Sequence, residues 1–295
     1  MRLALYTTIY PEALPFLQQW GESVTAQSWR NFDLWIALDE VAKVDVFAAT
    51  GCLEDAHFIT VPPSSTPAEV RNYALNCFLD HCDAVVLVDS DDILLPIRME
   101  AASVAAKKND LTVSAMELAD ASGAKLDILF NPALEGKDIV RGNVFGFSNT
   151  TWRSSVLKAC LPVPSECRLM DWMVAVKAHL AGASIGFDST PSMLYRQHAG
   201  NMALLLPPFS PEQIMTATQL VLGHYRLLEK EVLPRHPGLE SPFLHAYEEV
   251  SLFFDVMSAE PELLNSYAAA LNQVSFRPVW WSCVAHPNLE HVWKT

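Results

Sequence analysis

Three carboxylates directly follow a run of apolar residues in the stretch DAVVLVDSDDILLP. The run Val85–Val88 is typical of a buried strand, and Asp89, Asp91 and Asp92 stand at its carboxyl end. Such neighbouring carboxylates repel one another, and the repulsion is poorly screened beside a buried strand. Residues i and i+2 of a strand share a face, so Asp89 and Asp91 can point at one ligand. Carboxylate oxygens suit Mg²⁺ or Mn²⁺, so the pattern indicates a divalent metal site; an acidic turn capping the next helix is the alternative.

The elements around this stretch are predicted to alternate between strands and helices. Apolar runs predict four strands, in RLALYTTIY, NFDLWIALDE, AHFITVP and AVVLV, and helical spacing follows the first of them in PEALPFLQQWGESVTAQ. Alternating strands and helices predict an α/β protein with a mostly parallel, Rossmann-like sheet between helices. In such sheets ligands bind beyond the carboxyl ends of the strands, which is where the carboxylates stand.

A capping signal places another charged residue near the same edge. Thr66 is a good N-cap, Pro67 suits the first helical position, and Glu69 completes a capping box. The helix therefore carries Arg71 close to its positive N-terminal end, where anions are favoured. Arg71 could pair there with an anionic ligand, or alternatively with one of the motif carboxylates.

The chain changes character after LLLPPF. Before it, LMDWMVAVKAHLAG predicts a helix that ends at Gly182. After it, Ser210 and Gln213 open a long helix with a second capping box, and further helices are expected near Pro242 and Pro261. We therefore expect an α/β domain over residues 1–206 and a helical C-terminal region over residues 207–295.

Composition excludes several classes of protein. Hydrophobic residues make up 51% and charged residues 18%, which argues against disorder. The formal net charge of −14 disfavours binding to nucleic acid. No apolar run is long enough for a transmembrane segment or a signal peptide. The six cysteines lack metal-binding spacing and are expected to be free thiols in a cytoplasmic protein.

Two metal-dependent chemistries use an apolar strand that ends in DxD. In haloacid-dehalogenase-like phosphatases the first Asp is a nucleophile within DxDx(T/V). Here Ile93 takes the T/V place, the motif lies far from the N-terminus, and no GDxxxD follows. These departures count against the phosphatase. The other chemistry is the transfer of a sugar from a nucleoside diphosphate.

Five ordered stretches resemble the inverting GT-A glycosyltransferases of family 2. VTAQSWRNFDLWIALDE is similar to that family's S…QTY.NFEIIVVDDGS, TPAEVRNYAL to its ARN.G helix, and VVLVDSDDILLP to its I.FLDSDD…P core. RLMDWMVAVKAHLAG resembles its EDWDL…L…G segment, and MLYRQHAGN its YR.H..N. The match covers about residues 3–201. The resemblance implies a GT-A fold with a C-terminal helical extension.

The resemblance also implies a role for each candidate residue. The donor-site residues would be Asp39, at the nucleotide base, and Arg71, at the diphosphate. Asp89 would bind the metal or the ribose, Asp91 would bind a Mn²⁺ or Mg²⁺ ion, and His198 would be a further metal or diphosphate ligand. A last residue, Asp171, would be the base that deprotonates the acceptor hydroxyl.

The expected function is the metal-dependent transfer of a sugar from a nucleotide-sugar donor to a hydroxyl acceptor, with inversion at the sugar. The resemblance implies that the donor is a UDP-sugar. The sequence does not identify the acceptor, which could be a sugar, a lipid-linked molecule or a protein. A role in the synthesis of a surface polysaccharide or glycoconjugate is expected from the same resemblance. A lipid-linked acceptor would require peripheral attachment at the inner membrane face. The helices beyond Pro208 are expected to shape the acceptor side or a homo-oligomer interface.

The sequence departs from the family pattern in three stretches. TTIYP stands where the family has PTYN, Glu40 replaces the second Asp of DDGS with no Gly-Ser after it, and Met170 replaces the Glu of EDW. The Met170 departure keeps an alternative open, a non-catalytic GT-A module that binds nucleotide or sugar in a glycan assembly complex.

Overall fold

The computed structural model describes residues 1–51, 53, 55–132, 139–203, 205–274 and 279–294. The strands in these ranges are β1 Leu3–Ile9, β2 Phe32–Leu38, β3 His57–Thr60, β4 Ala84–Leu87, β5 Ile93–Leu94, β6 Leu111–Ala119, β7 Lys125–Phe130, β8 Thr150–Arg153 and β9 Ile185–Arg196. The α-helices are α1 Leu17–Thr25, α2 Lys43–Thr50, α3 Pro67–Phe78, α4 Arg98–Ala105, α5 Ser154–Cys160, α6 Met170–Leu180, α7 Pro211–Leu227, α8 Ser241–Ala259, α9 Pro261–Leu271 and α10 Glu290–Trp293. A 3₁₀ turn, Pro11–Phe16, leads into α1.

All the described strands belong to one sheet, in the order β3-β2-β1-β4-β8-β6-β9-β5, with β7 paired to β6. The first four strands are parallel, so that Leu3 lies opposite Phe32 on one side and Ala84 on the other. Beyond β4 the sheet is mixed, because β8 runs antiparallel to both β4 and β6 whereas β9 is parallel to β6. The predicted α/β class is confirmed.

Strands β1, β2, β3 and β4 form where the apolar runs predicted them. Every residue of β4 is buried, as expected for a central strand covered on both faces. Helix α1 packs Leu17, Trp20 and Val24 inward at helical spacing, and all three are buried. Helix α3 begins at Pro67 with both hydrogen bonds of the predicted capping box present. Because β1 pairs in parallel with both β2 and β4, the carboxyl ends of these three strands lie side by side at one edge of the sheet.

The chain divides into two compact units. The first contains Met1–Leu134, Phe145–Glu166 and Met170–Gly200, and it holds the sheet and every candidate site residue. The second contains residues 135–144, 167–169 and 201–295 and is mainly helical in its described part. In this second unit α7 starts at its predicted capping box. The assignment of separate functions to residues 1–206 and 207–295 remains a prediction.

Within the second unit the aromatic core lies between helices. The ring of Phe253 on α8 meets Tyr267 and Trp293 edge to face, with centroids 5.0 and 5.1 Å apart. The Tyr267 hydroxyl donates to the Cys283 carbonyl at 3.0 Å. No helix in the described ranges combines the length and apolar character that crossing a membrane requires.

Candidate functional site

The candidate site lies at the carboxyl ends of β1, β2 and β4. Tyr10 follows β1, Asp39 follows β2, and the DSDD turn at residues 89–92 follows β4. Because these strands are parallel neighbours, their carboxyl ends bring the three segments to one edge. The carboxylates that follow the apolar run of β4 therefore stand at this edge of the sheet.

Asp89 forms an ion pair with Arg71 from the first turns of α3. The Arg71 Nη2 lies 3.3 Å from Asp89 Oδ1, and the guanidinium stacks 4.1 Å above the Phe147 ring. Ser148 braces the same residue, since its hydroxyl accepts from the Asp89 backbone N–H at 3.0 Å. Burial raises the pKa of Asp89 to about 6, Arg71 opposes this rise, and the negative charges of Asp91 and Asp171 add to it. Arg71 is thus a positive partner that the first carboxylate needs.

Asp91 is engaged by two side chains through the same carboxylate oxygen. His198 Nε2 lies 3.1 Å from Asp91 Oδ2, and the Tyr10 hydroxyl donates to that oxygen at 3.4 Å. The Gly200 backbone N–H donates to His198 Nδ1 at 3.1 Å, so in a neutral imidazole the proton is on Nε2 and faces Asp91. The Phe16 ring packs against the imidazole with centroids 4.6 Å apart. These contacts fix the orientation of both Asp91 and His198.

Arg196, the last residue of β9, donates hydrogen bonds to the DSDD turn. Its Nε donates to the Asp91 carbonyl at 2.6 Å, and its backbone N–H donates to Asp92 Oδ1 at 2.8 Å. Arg196 and Asp92 are both 1% exposed. Burial raises the pKa of Asp92 well above its ordinary value, and the charges of Asp91 and Asp89 raise it further. Asp92 therefore faces the protein interior and supports the turn.

Asp171 and Asp39 complete the cluster around Arg71 and Asp89. Asp171 stands in the first turn of α6, where its Oδ1 accepts from the Trp172 N–H at 2.8 Å, and its charge acts on Asp89. Burial raises the pKa of Asp39, the nearby carboxylate of Glu40 raises it further, and Arg71 lowers it. The structure thus brings all six predicted site residues to one region, and the roles assigned to them remain predictions.

Three residues that shape the site, Tyr10, Arg196 and Ser148, were not predicted from the sequence. Tyr10 follows the first strand, and that position was a usable signal. Arg196 is the arginine of the YR.H stretch, in which only the histidine was singled out. Ser148 lies in an irregular segment with no periodicity, so its contact with Asp89 had no sequence signal.

A divalent ion would find a partial set of ligands here. The described residues contain no group of three or more His, Cys, Asp or Glu side chains arranged to hold a metal. Asp91 and His198 nevertheless place a carboxylate oxygen and the Nε2 nitrogen of an imidazole 3.1 Å apart, and His198 would bind a metal there only after Nε2 gives up the proton that faces Asp91. Two protein ligands of this kind fit Mn²⁺ or Mg²⁺ when substrate phosphates complete the coordination. Asp89 has one oxygen paired with Arg71, as Asp91 has one oxygen engaged by His198 and Tyr10, so its role as a metal or ribose ligand remains a prediction.

Comparison with known proteins gives structural matches only. No protein-family model matches the sequence. No curated protein matches it either. The mannosyltransferase PcManGT from Pyrobaculum calidifontis, solved with GDP-Man and Mn²⁺, superposes with a TM-score of 0.56 at 15% identity, over 93% of this chain and 76% of that one. TarS of S. aureus, residues 1–349 with UDP-GlcNAc, superposes with a TM-score of 0.53 at 15% identity, over 92% of this chain and 88% of that one.

These likenesses show that the chain has the fold of nucleotide-sugar glycosyltransferases, as the sequence predicted. At such low identity they carry the fold alone. The activity therefore has to be argued from the residues at the carboxyl edge of the sheet.

Proposed function

We propose that the protein is a glycosyltransferase that moves a sugar from a nucleoside diphosphate to a hydroxyl acceptor. The observation that carries the proposal is the paired arrangement at the end of β4, Arg71 with Asp89 and His198 with Asp91. In this fold it lies at the strand edge where ligands bind. The Arg71 guanidinium and a metal ion held by Asp91 and His198 would together supply the positive charge that suits the two phosphates of such a donor.

The donor is proposed to lie between α3 and the DSDD turn. Arg71 forms an ion pair with Asp89, and on donor binding its guanidinium would turn toward the diphosphate or bind the diphosphate and Asp89 together. Asp91 and His198 would hold Mn²⁺ or Mg²⁺, which when bound neutralises charge on the leaving nucleoside diphosphate. Asp39, at the end of β2, would contact the nucleotide base. UDP is the nucleotide expected from the resemblance, whereas the solved neighbours hold GDP-Man and UDP-GlcNAc.

Transfer is proposed to be a single displacement. Asp171 accepts the proton of the acceptor hydroxyl as the hydroxyl oxygen forms its bond to the sugar C1. The bond between C1 and the phosphate oxygen breaks, and the nucleoside diphosphate leaves with the bonding electron pair. Attack from the face opposite the leaving group inverts the anomeric configuration. We place this reaction in the cytoplasm and in the synthesis of a surface polysaccharide or glycoconjugate.

The first experiment is a thermal-shift screen of UDP, GDP, CDP and their sugars, with and without Mn²⁺. A ligand at 100 times its dissociation constant stabilises the folded state by about 2.7 kcal/mol, which raises the melting temperature by several degrees. We expect a shift that requires nucleotide and metal together and that Asp91→Asn abolishes. Asp45→Asn, at an exposed position on α2, is the matched control. No shift with any nucleotide would refute the proposal.

A non-catalytic binding module is the second candidate, and one observation favours it. Met170 stands beside Asp171 where the family has Glu, and Met170 is 2% exposed, so the neighbouring acid is replaced by a buried apolar side chain. A module would show the nucleotide shift without release of nucleoside diphosphate from any donor sugar. Measured release distinguishes the enzyme from the module.

A further inference from the structure

Asn72 lies beside Arg71 on α3 and binds the backbone of a single residue in a distant loop. Its Nδ2 donates to the Val163 carbonyl at 2.8 Å, and its Oδ1 accepts from the Val163 N–H at 3.1 Å. Both polar groups of one peptide residue are thus held by one amide side chain. Val163 is 4% exposed, so water cannot easily replace these two bonds.

Two more side chains bind the same loop, residues 161–166, or the end of α5 just before it. The Thr66 hydroxyl, at the N-cap of α3, donates to the Ser165 carbonyl at 2.9 Å. Lys177 Nζ donates to the Pro162 carbonyl at 3.1 Å and also to the Cys160 carbonyl. Residues 161–166 contain no helix or strand, so these side chains supply hydrogen bonds that regular structure would otherwise provide.

The loop therefore connects two helices that carry site residues. Arg71 and Asn72 are consecutive on α3, so the position of one fixes the position of the other. Lys177 stands on α6, whose first turn carries Asp171. A continuous path therefore links the two helices. Asn72 is hydrogen-bonded to Val163, Val163 is joined to Pro162 by the peptide bond, and the Pro162 carbonyl is hydrogen-bonded to Lys177.

We infer that Asn72 is a positioning residue, which sets the place of the Asp171 carboxylate relative to the donor held at Arg71. The inference rests on the proposed function and adds a role to a residue that touches neither donor nor acceptor. Misplacing a reacting group by about 1 Å can slow a reaction about 100-fold, so a loop that fixes α6 against α3 acts on turnover. Donor affinity depends on Arg71 and Asp91, and the loop leaves it unchanged.

The test compares three single variants with the wild type. Asn72→Ala removes both bonds to Val163. Lys177→Met removes the bonds at the other end of the path and keeps the length of the side chain. Asn76→Ala is the matched control, because Asn76 is exposed one helical turn further along α3. Calorimetry measures the binding of UDP and GDP with Mn²⁺, and steady-state kinetics measure nucleoside diphosphate release from UDP-GlcNAc and GDP-Man.

We expect Asn72→Ala and Lys177→Met each to lower kcat about 10- to 100-fold, with the donor KM and the nucleotide dissociation constant within about threefold of wild type. The double variant should lose less than the product of the two single losses, since both break one path. Asn76→Ala should behave as wild type. Amide hydrogen exchange at Val163 should quicken in Asn72→Ala and stay slow in Asn76→Ala.

Wild-type kcat in Asn72→Ala would overturn the inference. So would a fall in kcat matched by an equal loss of nucleotide binding, because Asn72 would then act on α3 itself. If Asn72→Ala does not fold, Lys177→Met decides the question by the same two measurements. A wild type that binds neither UDP nor GDP would instead overturn the proposed function, which separates the two failures.

Discussion

Replacing Asp171 by Asn separates the two halves of the proposed reaction. The Asn side chain keeps an oxygen where Asp171 Oδ1 accepts from the Trp172 N–H at 2.8 Å, so the start of α6 should be undisturbed. The substitution removes the carboxylate that would accept the acceptor proton. It also removes a negative charge that acts on Asp89, and the donor site becomes less repulsive toward a diphosphate.

The two effects have opposite signs and different sizes. Loss of a general base costs about 10²- to 10⁴-fold in turnover, which is about 3–5 kcal/mol of activation free energy. Loss of a nearby like charge leaves nucleoside diphosphate binding unchanged or strengthens it. Asp171→Asn is therefore expected to bind UDP or GDP with Mn²⁺ at least as tightly as wild type while its kcat collapses.

Calorimetry for binding and nucleoside diphosphate release for turnover give both quantities on the same preparation. Asp188→Asn is the matched control, because Asp188 Oδ1 also accepts a local backbone N–H, from Thr190 at 2.9 Å. The control should keep wild-type turnover. Turnover of Asp171→Asn within threefold of wild type would place the base on another residue. A parallel loss of nucleotide binding would show that Asp171 belongs to the donor site.

Three further predictions concern charge, pH and capping. Arg71→Gln removes the cation 3.3 Å from Asp89 and should weaken nucleoside diphosphate binding roughly 10- to 100-fold in calorimetry, the value of a charged hydrogen bond; unchanged affinity would contradict the assigned role. Burial lowers the pKa of His224 from 6.5 to about 3, so the unfolded chain takes up the proton first and stability falls as the pH drops below about 6.5. Between pH 7.5 and 5 this loss is about 2 kcal/mol, and urea unfolding of His224→Leu should lack it; an equal pH dependence in both proteins would refute the argument. Ser210→Ala removes the acceptor for the Gln213 N–H at the start of α7 and should cost about 1 kcal/mol in urea unfolding, whereas Ser210→Thr should cost much less.

Local signals predicted the elements whose causes are local. The boundaries of α3 and α7 were predictable because an N-cap side chain, a proline and a glutamate or glutamine act within three residues of one another. The strand β4 was predictable because its whole length is apolar. These features need no knowledge of the rest of the chain.

Elements that depend on tertiary pairing were not predicted. Strand β9, Ile185–Arg196, contains Pro191 and Asp188 and alternates poorly, yet it pairs with β6 over most of its length and with β5 near its end. Helix α2 has no side-chain cap and only weak apolar spacing. Their stability comes from partners that are distant in the chain, which single-sequence patterns do not contain.

The candidate site divides in the same way. Asp89 and Asp91 were predictable, because a buried strand ending in charge is a local pattern. The contacts of Tyr10 and Arg196 with Asp91 were not, because they are made from 81 and 105 residues away, although the position of Tyr10 at a strand end places it near the site. Which carboxylate Arg71 would face could likewise be offered only as an alternative.

The contacts of Arg196 also determine when the site can form during synthesis. A ribosome delivers the DSDD turn long before β9, and the Asp91 carbonyl meets its Arg196 donor only after 105 further residues have been added. Until then the segment that carries the three carboxylates lacks both the Arg196 guanidinium and the His198 imidazole. Closing so long a segment is slow compared with forming α3 or the β1–β2 pair. We therefore expect the acidic turn to be ordered late, and a nascent chain that stops before residue 185 contains Arg71 but lacks both Arg196 and His198.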